Sequence, residues 1–275
     1  MPRKDRFPPT GFFPTIYPDL DKEVIGMAGH SKWKNIQHRK GRQDALRGKL
    51  FAKLAREISV AAREGGGDPD QNQRLRLAIS KARSQNMPND NIERAIHRGT
   101  GAEGGSNYEA VTYEGYGPGG AAVMAEALTD NRNRTAADVR HIFSKRGGSM
   151  GEAGCVAWMF DKKGLLRIDR EAGQDEDEMM LQVLEAGAED FEASEDAFEI
   201  TTSPDQFEEV KASLEGEGFH FSTAEVTMVP QNTVTLTGDQ VTQMLQLLEA
   251  LEDHDDIQNV YANVEIDDGE LGNHG

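Results

Sequence analysis

Between positions 44 and 63 apolar residues recur at helical spacing. Leu50, Leu54, Ile58 and Ala61 fall on one face, and Phe51, Ala55 and Ala62 widen it. The pattern predicts an amphipathic helix, ended by Gly65, Gly66 and Gly67. A second helix is expected over 71–83, with Leu75, Ala78, Ile79 and Ala82 inward. A third, short one runs from Pro88 through Ile92, Ala95 and Ile96 to a stop at Gly99. The stretch 27–100 therefore reads as a small helical domain.

After the glycine-rich 99–105, which reads as a linker, the period changes. Strands are expected at 108–113 and 121–128, joined by a turn in GYGPGG at 115–120. Thr135 followed by Asp138 looks like a capped helix start, with Val139, Ile142 and Phe143 inward, and 155–160 reads as a strand. From 165 the order is strand 165–169, helix 176–186, strands 189–193 and 197–202, helix 204–216 and strand 219–229. That is β-α-β-β-α-β, the ferredoxin-like arrangement. A strand at 233–236, a helix at 239–252 and a strand at 258–266 follow.

These late elements are expected to complete the sheet begun at 108–128. The fold class that results is α+β: an N-terminal helical domain followed by two α/β (ferredoxin-like) domains, one inserted in the other. The expected divisions are an extension at 1–26, a basic helical domain at 27–104, an α/β domain at 105–160 plus 231–270, and an inserted α/β domain at 161–230. No internal repeat signals a solenoid.

Composition narrows the setting. Of the 275 residues 37% are hydrophobic and 28% charged, the balance of a globular chain long enough for two or three domains. No apolar run approaches the ~20 residues of a membrane helix. The single Cys155 excludes an internal disulfide framework and fits a reducing compartment, so a cytoplasmic location is expected. Residues 1–26 carry prolines at 2, 8, 9, 14 and 18, and resemble neither a secretory signal nor a transit peptide. They read as a disordered extension, with Met27 as the working start. Detecting the residue 1 terminus in native protein by mass spectrometry would refute this.

Charge changes the picture most. The net formal charge is −18, yet 27–100 holds 16 Lys+Arg against 7 Asp+Glu, whereas 101–275 holds 10 against 37. Screening confines such fields to about 8 Å at physiological salt, so a partner feels the local patch and not the total. The densest basic segment includes His30, Lys32, Trp33, Lys34, His38, Arg39 and Lys40. There, cations can neutralise phosphates while an indole stacks on an exposed base. On the first helix Lys49, Lys53, Arg56 and Arg63 form a stripe roughly opposite the apolar face. Changing Lys49, Lys53 and Arg56 together to Glu is expected to abolish binding while leaving thermal stability near wild type. Arg132 and Arg134, in the loop entering the next helix, could hold a phosphate at its N-terminus or pair with surrounding carboxylates.

Catalytic readings are weaker. The seven histidines lack metal-site spacing, and Cys155 falls inside an apolar strand, where an inert thiol is expected. The acidic runs 175–178 and 252–256 read as solvated helix ends, and no Gly-Lys-Ser/Thr follows GYGPGG. The expectation is a protein that is not an enzyme, takes no cofactor or small-molecule substrate, and does not enter a membrane.

The stretches MAGHSKWKNIQHRKGRQDALRGKLFAKLAREI, NMPNDNIERAI, YEGYGPGG, TDNRNRTAADVRHIFSKRGG and VAWMF closely resemble the YebC family of bacterial proteins, over 27 to about 266. Asn89 stands where many relatives carry a lysine. The family is described as probable transcriptional regulators, and it includes a mitochondrial translational activator. The resemblance implies a three-domain protein and carries Gly29–Trp33, Lys49, Lys53, Arg56 and the loop 130–135 over as family positions. It implies a DNA-binding transcriptional regulator, or alternatively a ribosome-associated factor that binds ribosomal or transfer RNA and aids synthesis of proline-rich stretches.

Overall fold

The computed structural model describes residues 43–101, 108–170, 174–194 and 197–266. Three helices come first: α1 (Gln43–Gly65), α2 (Gln73–Ser84) and α3 (Asn89–Thr100). Leu54, Ile58, Leu75, Ile79, Ile92 and the small residues between them share one core, the face expected from the spacing. Burying such a stripe is what makes helices this short stable. Asn72 caps α2 by accepting from the Leu75 N–H at 3.0 Å, and its amide donates at 2.8 Å to the carbonyls of Ala61 and Gly66 at the end of α1. Close approach of α1 and α3 depends on Gly99, because a Cβ there would lie 2.3 Å from the Ser59 carbonyl oxygen.

Next come β1 (Glu109–Tyr116), β2 (Ala122–Thr129), α4 (Arg132–Lys145) and β3 (Ser149–Met150). The β1–β2 connection holds Gly119 at φ 70°, in the left-handed region that glycine enters without strain. The chain then runs through β4 (Phe160–Asp169), α5 (Glu176–Glu185), β5 (Asp190–Ala193), β6 (Ala197–Thr202), α6 (Phe207–Gly216) and β7 (Thr223–Pro230). It closes with β8 (Val234–Leu236), α7 (Asp239–Glu252), β9 (Ile257–Ala262) and β10 (Val264–Ile266).

Two four-stranded sheets result, ordered β3-β1-β2-β9 and β5-β6-β4-β7, with β8 and β10 forming a small parallel pair. Every pairing in the second sheet is antiparallel and its order is that of a ferredoxin-like unit. Its first and last residues, Phe160 and Pro230, are register partners. The chain therefore enters and leaves this second sheet at nearly one point, the geometry an insertion needs. β9 then pairs with β2, so one late strand joins the early sheet, whereas the expected strand at 233–236, β8, pairs with β10 outside it. α4 and α7 cover that sheet through Val139, Phe143, Met244, Leu247 and Leu251.

Three local expectations are corrected. The cap of α4 is Asn131, whose Oδ1 accepts from the Arg134 N–H at 3.1 Å; Thr135 lies inside the helix, buried. Cys155 lies in a turn followed by a single 3₁₀ turn, Ala157–Met159, and not in a strand; β4 begins at Phe160, ahead of the expected 165. The strand expected over 258–266 breaks at Asn263. Its side chain accepts from the Ala122 N–H at 2.6 Å, and its carbonyl accepts from Val234 at 2.7 Å, so the chain changes partner from β2 to β8 there.

Candidate nucleic-acid interface

Of the expected contact residues, His30, Lys32, Trp33, Lys34, His38, Arg39 and Lys40 lie outside the described residues. Lys49, Lys53 and Arg56 lie inside, and their placement corrects the expectation of an outward stripe. All three engage the end of α7 and the acidic turn after it. The Lys53 amine donates to the Glu252 carbonyl at 2.5 Å, and Lys49 reaches the Asp253 carboxylate at 3.3 Å. The Arg56 guanidinium donates to the carbonyls of Asp255 (2.8 Å) and Leu128 (3.2 Å), to the Asp256 carboxylate (3.2 Å), and sits 4.8 Å over the Tyr108 ring.

The physical cause is the end of a helix. The last carbonyls of α7 have no intrahelical partner and carry the negative end of its dipole, and α7 has no basic residue in its last turn. Cations brought by α1 satisfy those carbonyls, and Asp253, Asp255 and Asp256 deepen the negative field. Lys81 extends the contact to Asn259 on β9 at 3.2 Å and to Glu57 at 3.3 Å. Enclosure has a consequence for Lys53. Burial pushes its amine down to about 8, against the attraction of Glu252, Asp255 and Asp253.

Asp256 is the centre of this arrangement. Its carboxylate is 7% exposed and accepts from Arg56, from Arg134 at 2.9 Å, from Thr135 at 2.7 Å and from Thr129 at 3.2 Å. Burial alone would raise its pKa. The hydrogen bonds from Arg134 and Thr135, the Arg134 charge and the Thr129 hydroxyl outweigh burial and hold it below the ordinary 3.8. Arg134 also pairs with Asp130 at 2.8 Å. At the first turn of α4, the place considered for a phosphate, the chain's own carboxylate thus serves as the anion. Arg132 is exposed beside it.

A cleft of about 570 Å³ opens here, lined by Lys49, Arg56 and Arg134 but also by Asp130, Asp138, Asp253, Asp255 and Asp256. Acids outnumber cations on its walls, so it does not attract a polyanion. Cations directed outward lie elsewhere: Arg76 and Arg83 on α2, Arg98 on α3, and Arg140 and Lys145 on α4 are exposed. Burial, with Glu114 and Glu152 nearby, raises the Cys155 thiol, the direction that disfavours a nucleophilic thiolate. Among the described residues no group of His, Cys, Asp and Glu is arranged to hold a metal ion, and no helix is long and apolar enough to cross a membrane.

The sequence reading did not find Asp256, Thr129 or the α7 carbonyls. The signal available is the acidic run 252–256, whose charge is opposite to that of the α1 stripe; the spacing of neither segment shows that the two are partners.

Fold and interface together define an α+β protein whose basic helical unit is docked by its own cations onto an α/β unit carrying a ferredoxin-like insert. Residues 31–102 match the model of the TACO1/YebC protein N-terminal domain, and residues 108–264 match that of the TACO1/YebC second and third domain. The chain belongs to this family. A protein of Natranaerobius thermophilus named "Probable transcriptional regulatory protein" is 60% identical over 88% of this chain and 98% of its own length. One of the same name from Anoxybacillus flavithermus is 62% identical over 87% and 98%. The crystal structure of the conserved hypothetical protein Aq1575 from Aquifex aeolicus is similar at a TM-score of 0.74 and 46% identity, covering 86% of this chain and 98% of that one.

Proposed function

We propose that this chain is a nucleic-acid-binding regulator of gene expression that acts in the cytoplasm by binding and not by catalysis, with DNA as the partner suggested by the relatives' names. The observation that carries the proposal is the concentration of cations in 27–100, 16 against 7 acids, in a chain whose remainder is strongly acidic. His30, Lys32, Trp33, Lys34, His38, Arg39 and Lys40 supply the polyanion contact, and exposed Arg76, Arg83, Arg98 and Arg132 extend it. Lys49, Lys53 and Arg56 enter in a changed role, holding the helical unit in place, and Arg134 positions the Asp256 carboxylate that Arg56 meets.

A second reading is a ribosome-associated factor that grips ribosomal or transfer RNA and aids synthesis of proline-rich stretches. It is favoured by α3, whose exposed positions mix Asp90 and Glu93 with Arg94 and Arg98. Acids at the start of the helix and arginines at its end suit a continuous contact along a DNA groove poorly, because the acids repel its phosphates.

Gel shift on duplex DNA and co-sedimentation with ribosomes, each across a salt series, test the proposal. Binding is expected to weaken by roughly 0.7–0.9 log units per log unit of salt for each phosphate neutralised. Lys32, Lys34, Arg39 and Lys40 changed together to Glu should remove it. Absence of binding to both partners at low salt would overturn the proposal, and binding to ribosomes alone would select the second reading.

A further inference from the structure

The turn between β3 and β4 is held by an unusual device. Glu114, on β1, is 5% exposed, and its carboxylate accepts the backbone N–H groups of Gly154 (2.7 Å), Val156 (2.8 Å) and Ala157 (2.8 Å). A buried carboxylate with three N–H donors is strongly fixed, and it fixes the turn in return. The Cys155 carbonyl within that turn accepts from two aromatic side chains at once: the Trp158 indole N–H at 3.1 Å and the Tyr116 hydroxyl at 3.2 Å.

Both rings face solvent. Trp158 is 62% exposed, more than any other large apolar side chain among the described residues, and Tyr116 is 38% exposed. An indole left in water on a rigid support gives the fold little burial energy. Its polar edge and that of Tyr116 are already occupied by Cys155. With no donor to spare, what the pair offers a ligand is chiefly ring surface, which recognises by stacking.

Exposed cations lie near the pair along the chain. Lys145, at the end of α4, is exposed three residues before Gly148, where a Cβ would come within 2.8 Å of the Tyr116 carbonyl oxygen. Lys162 is exposed on β4, four residues beyond Trp158. Glu152, exposed in the same turn, is an acid among them.

We propose that Trp158 and Tyr116 form a stacking platform for unpaired nucleobases, with the exposed Lys145 and Lys162, near them along the chain, to meet the phosphates of the same strand. The proposal rests on the nucleic-acid reading above and adds a contact to bases where that reading has a contact to backbone. With both donors satisfied internally, only the Tyr116 oxygen is left to accept from a base edge, so the platform discriminates little between bases; stacking is tolerant in this way because every base has a π-face. Aromatic anchors of protein interfaces, by contrast, commonly direct a free indole N–H or hydroxyl at the partner.

The full chain grown with 5-fluorotryptophan carries two fluorine reporters, Trp33 and Trp158, the latter assigned with Trp158→Phe. It is titrated with a short unstructured strand, as RNA and as DNA, with a duplex, and with a proline-rich peptide; anisotropy of end-labelled strands gives affinity. The Trp158 resonance is expected to shift with the single strand and not with the duplex. Trp158→Ala and Tyr116→Ala should each weaken single-strand binding roughly ten-fold or more and leave duplex binding unchanged. Near-UV circular dichroism checks the fold of each variant. A strand that binds with the Trp158 signal unmoved and Trp158→Ala neutral overturns the platform while the proposed function stands. A shift with the peptide or the duplex but not the strand also overturns it. No binding of a single strand at low salt, with duplex or ribosomes still bound, overturns the platform alone; no binding of strand, duplex or ribosomes removes both proposals together.

Discussion

The Asp256 carboxylate accepts from two guanidinium groups and two hydroxyls, and the donors come from three places in the chain: Arg56 on α1, Thr129 at the end of β2, and Arg134 and Thr135 on α4. Removing the acceptor leaves Arg56, which is 17% exposed at its side chain, without its counter-charge. Asp256→Ala is therefore expected to lower stability by about 3 kcal/mol, measured by urea denaturation. The pH dependence has a definite sign. The folded pKa lies below the unfolded one, so the stabilisation is fully present above about 3.8 and is lost as pH falls through the folded value. Asp256→Asn should flatten the stability profile below pH ~4, and an unchanged acid limb would show that Asp256 is not its source. Lys53 acts at the other end. Its folded pKa of about 8 lies below the ordinary 10.5, so the folded chain binds fewer protons than the unfolded one between those values, and stability rises with pH across that window. Lys53→Met should remove this rise, read from thermal midpoints between pH 8 and 10.5.

Among elements, α1 carries two different faces of consequence. One buries Leu54 and Ile58 against α2 and α3, and also brings the Ser59 carbonyl against Gly99. Alanine is the better helix former by about 1 kcal/mol. A methyl 2.3 Å from a backbone oxygen cannot be housed, however, unless α1 and α3 separate. Gly99→Ala is thus expected to destabilise by roughly 1–3 kcal/mol despite its propensity, and a raised thermal midpoint would contradict the packing described. The other face places Lys49, Lys53 and Arg56 on the carbonyl end of α7. A helix of one unit thereby supplies the C-terminal cap that a helix of another lacks.

At the scale of the molecule this contact ties the basic unit to the acidic remainder. Lys49, Lys53 and Arg56 changed together to Glu would set three carboxylates against the α7 carbonyls and Asp253, Asp255 and Asp256. The triple variant is expected to lose stability and to expand in small-angle scattering, the reverse of the stability-neutral outcome that a solvated stripe implies. Affinity for nucleic acid would then fall through loss of architecture as well as loss of charge. An unaltered radius of gyration and melting temperature would show that the docking contributes nothing.

The sequence by itself determined the elements and most of their order. Apolar spacing at 3.6 or 2 residues is local, so α1, α2, α7 and the β-α-β-β-α-β series are legible in it. The return of a late strand to the early sheet is only allowed by the order of elements and not dictated by it. Where the period is interrupted for a tertiary reason, at Asn263 and around Cys155, the structure is not legible in it. What only the tertiary structure decided is the partner of each charge. A lysine stripe facing water and one facing a helix C-terminus have the same spacing, and the residues that distinguish them, Glu252 to Asp256, lie some 200 positions away. Electrostatic attraction acts through space, and no local pattern records which distant carboxylates the fold brings within 3 Å.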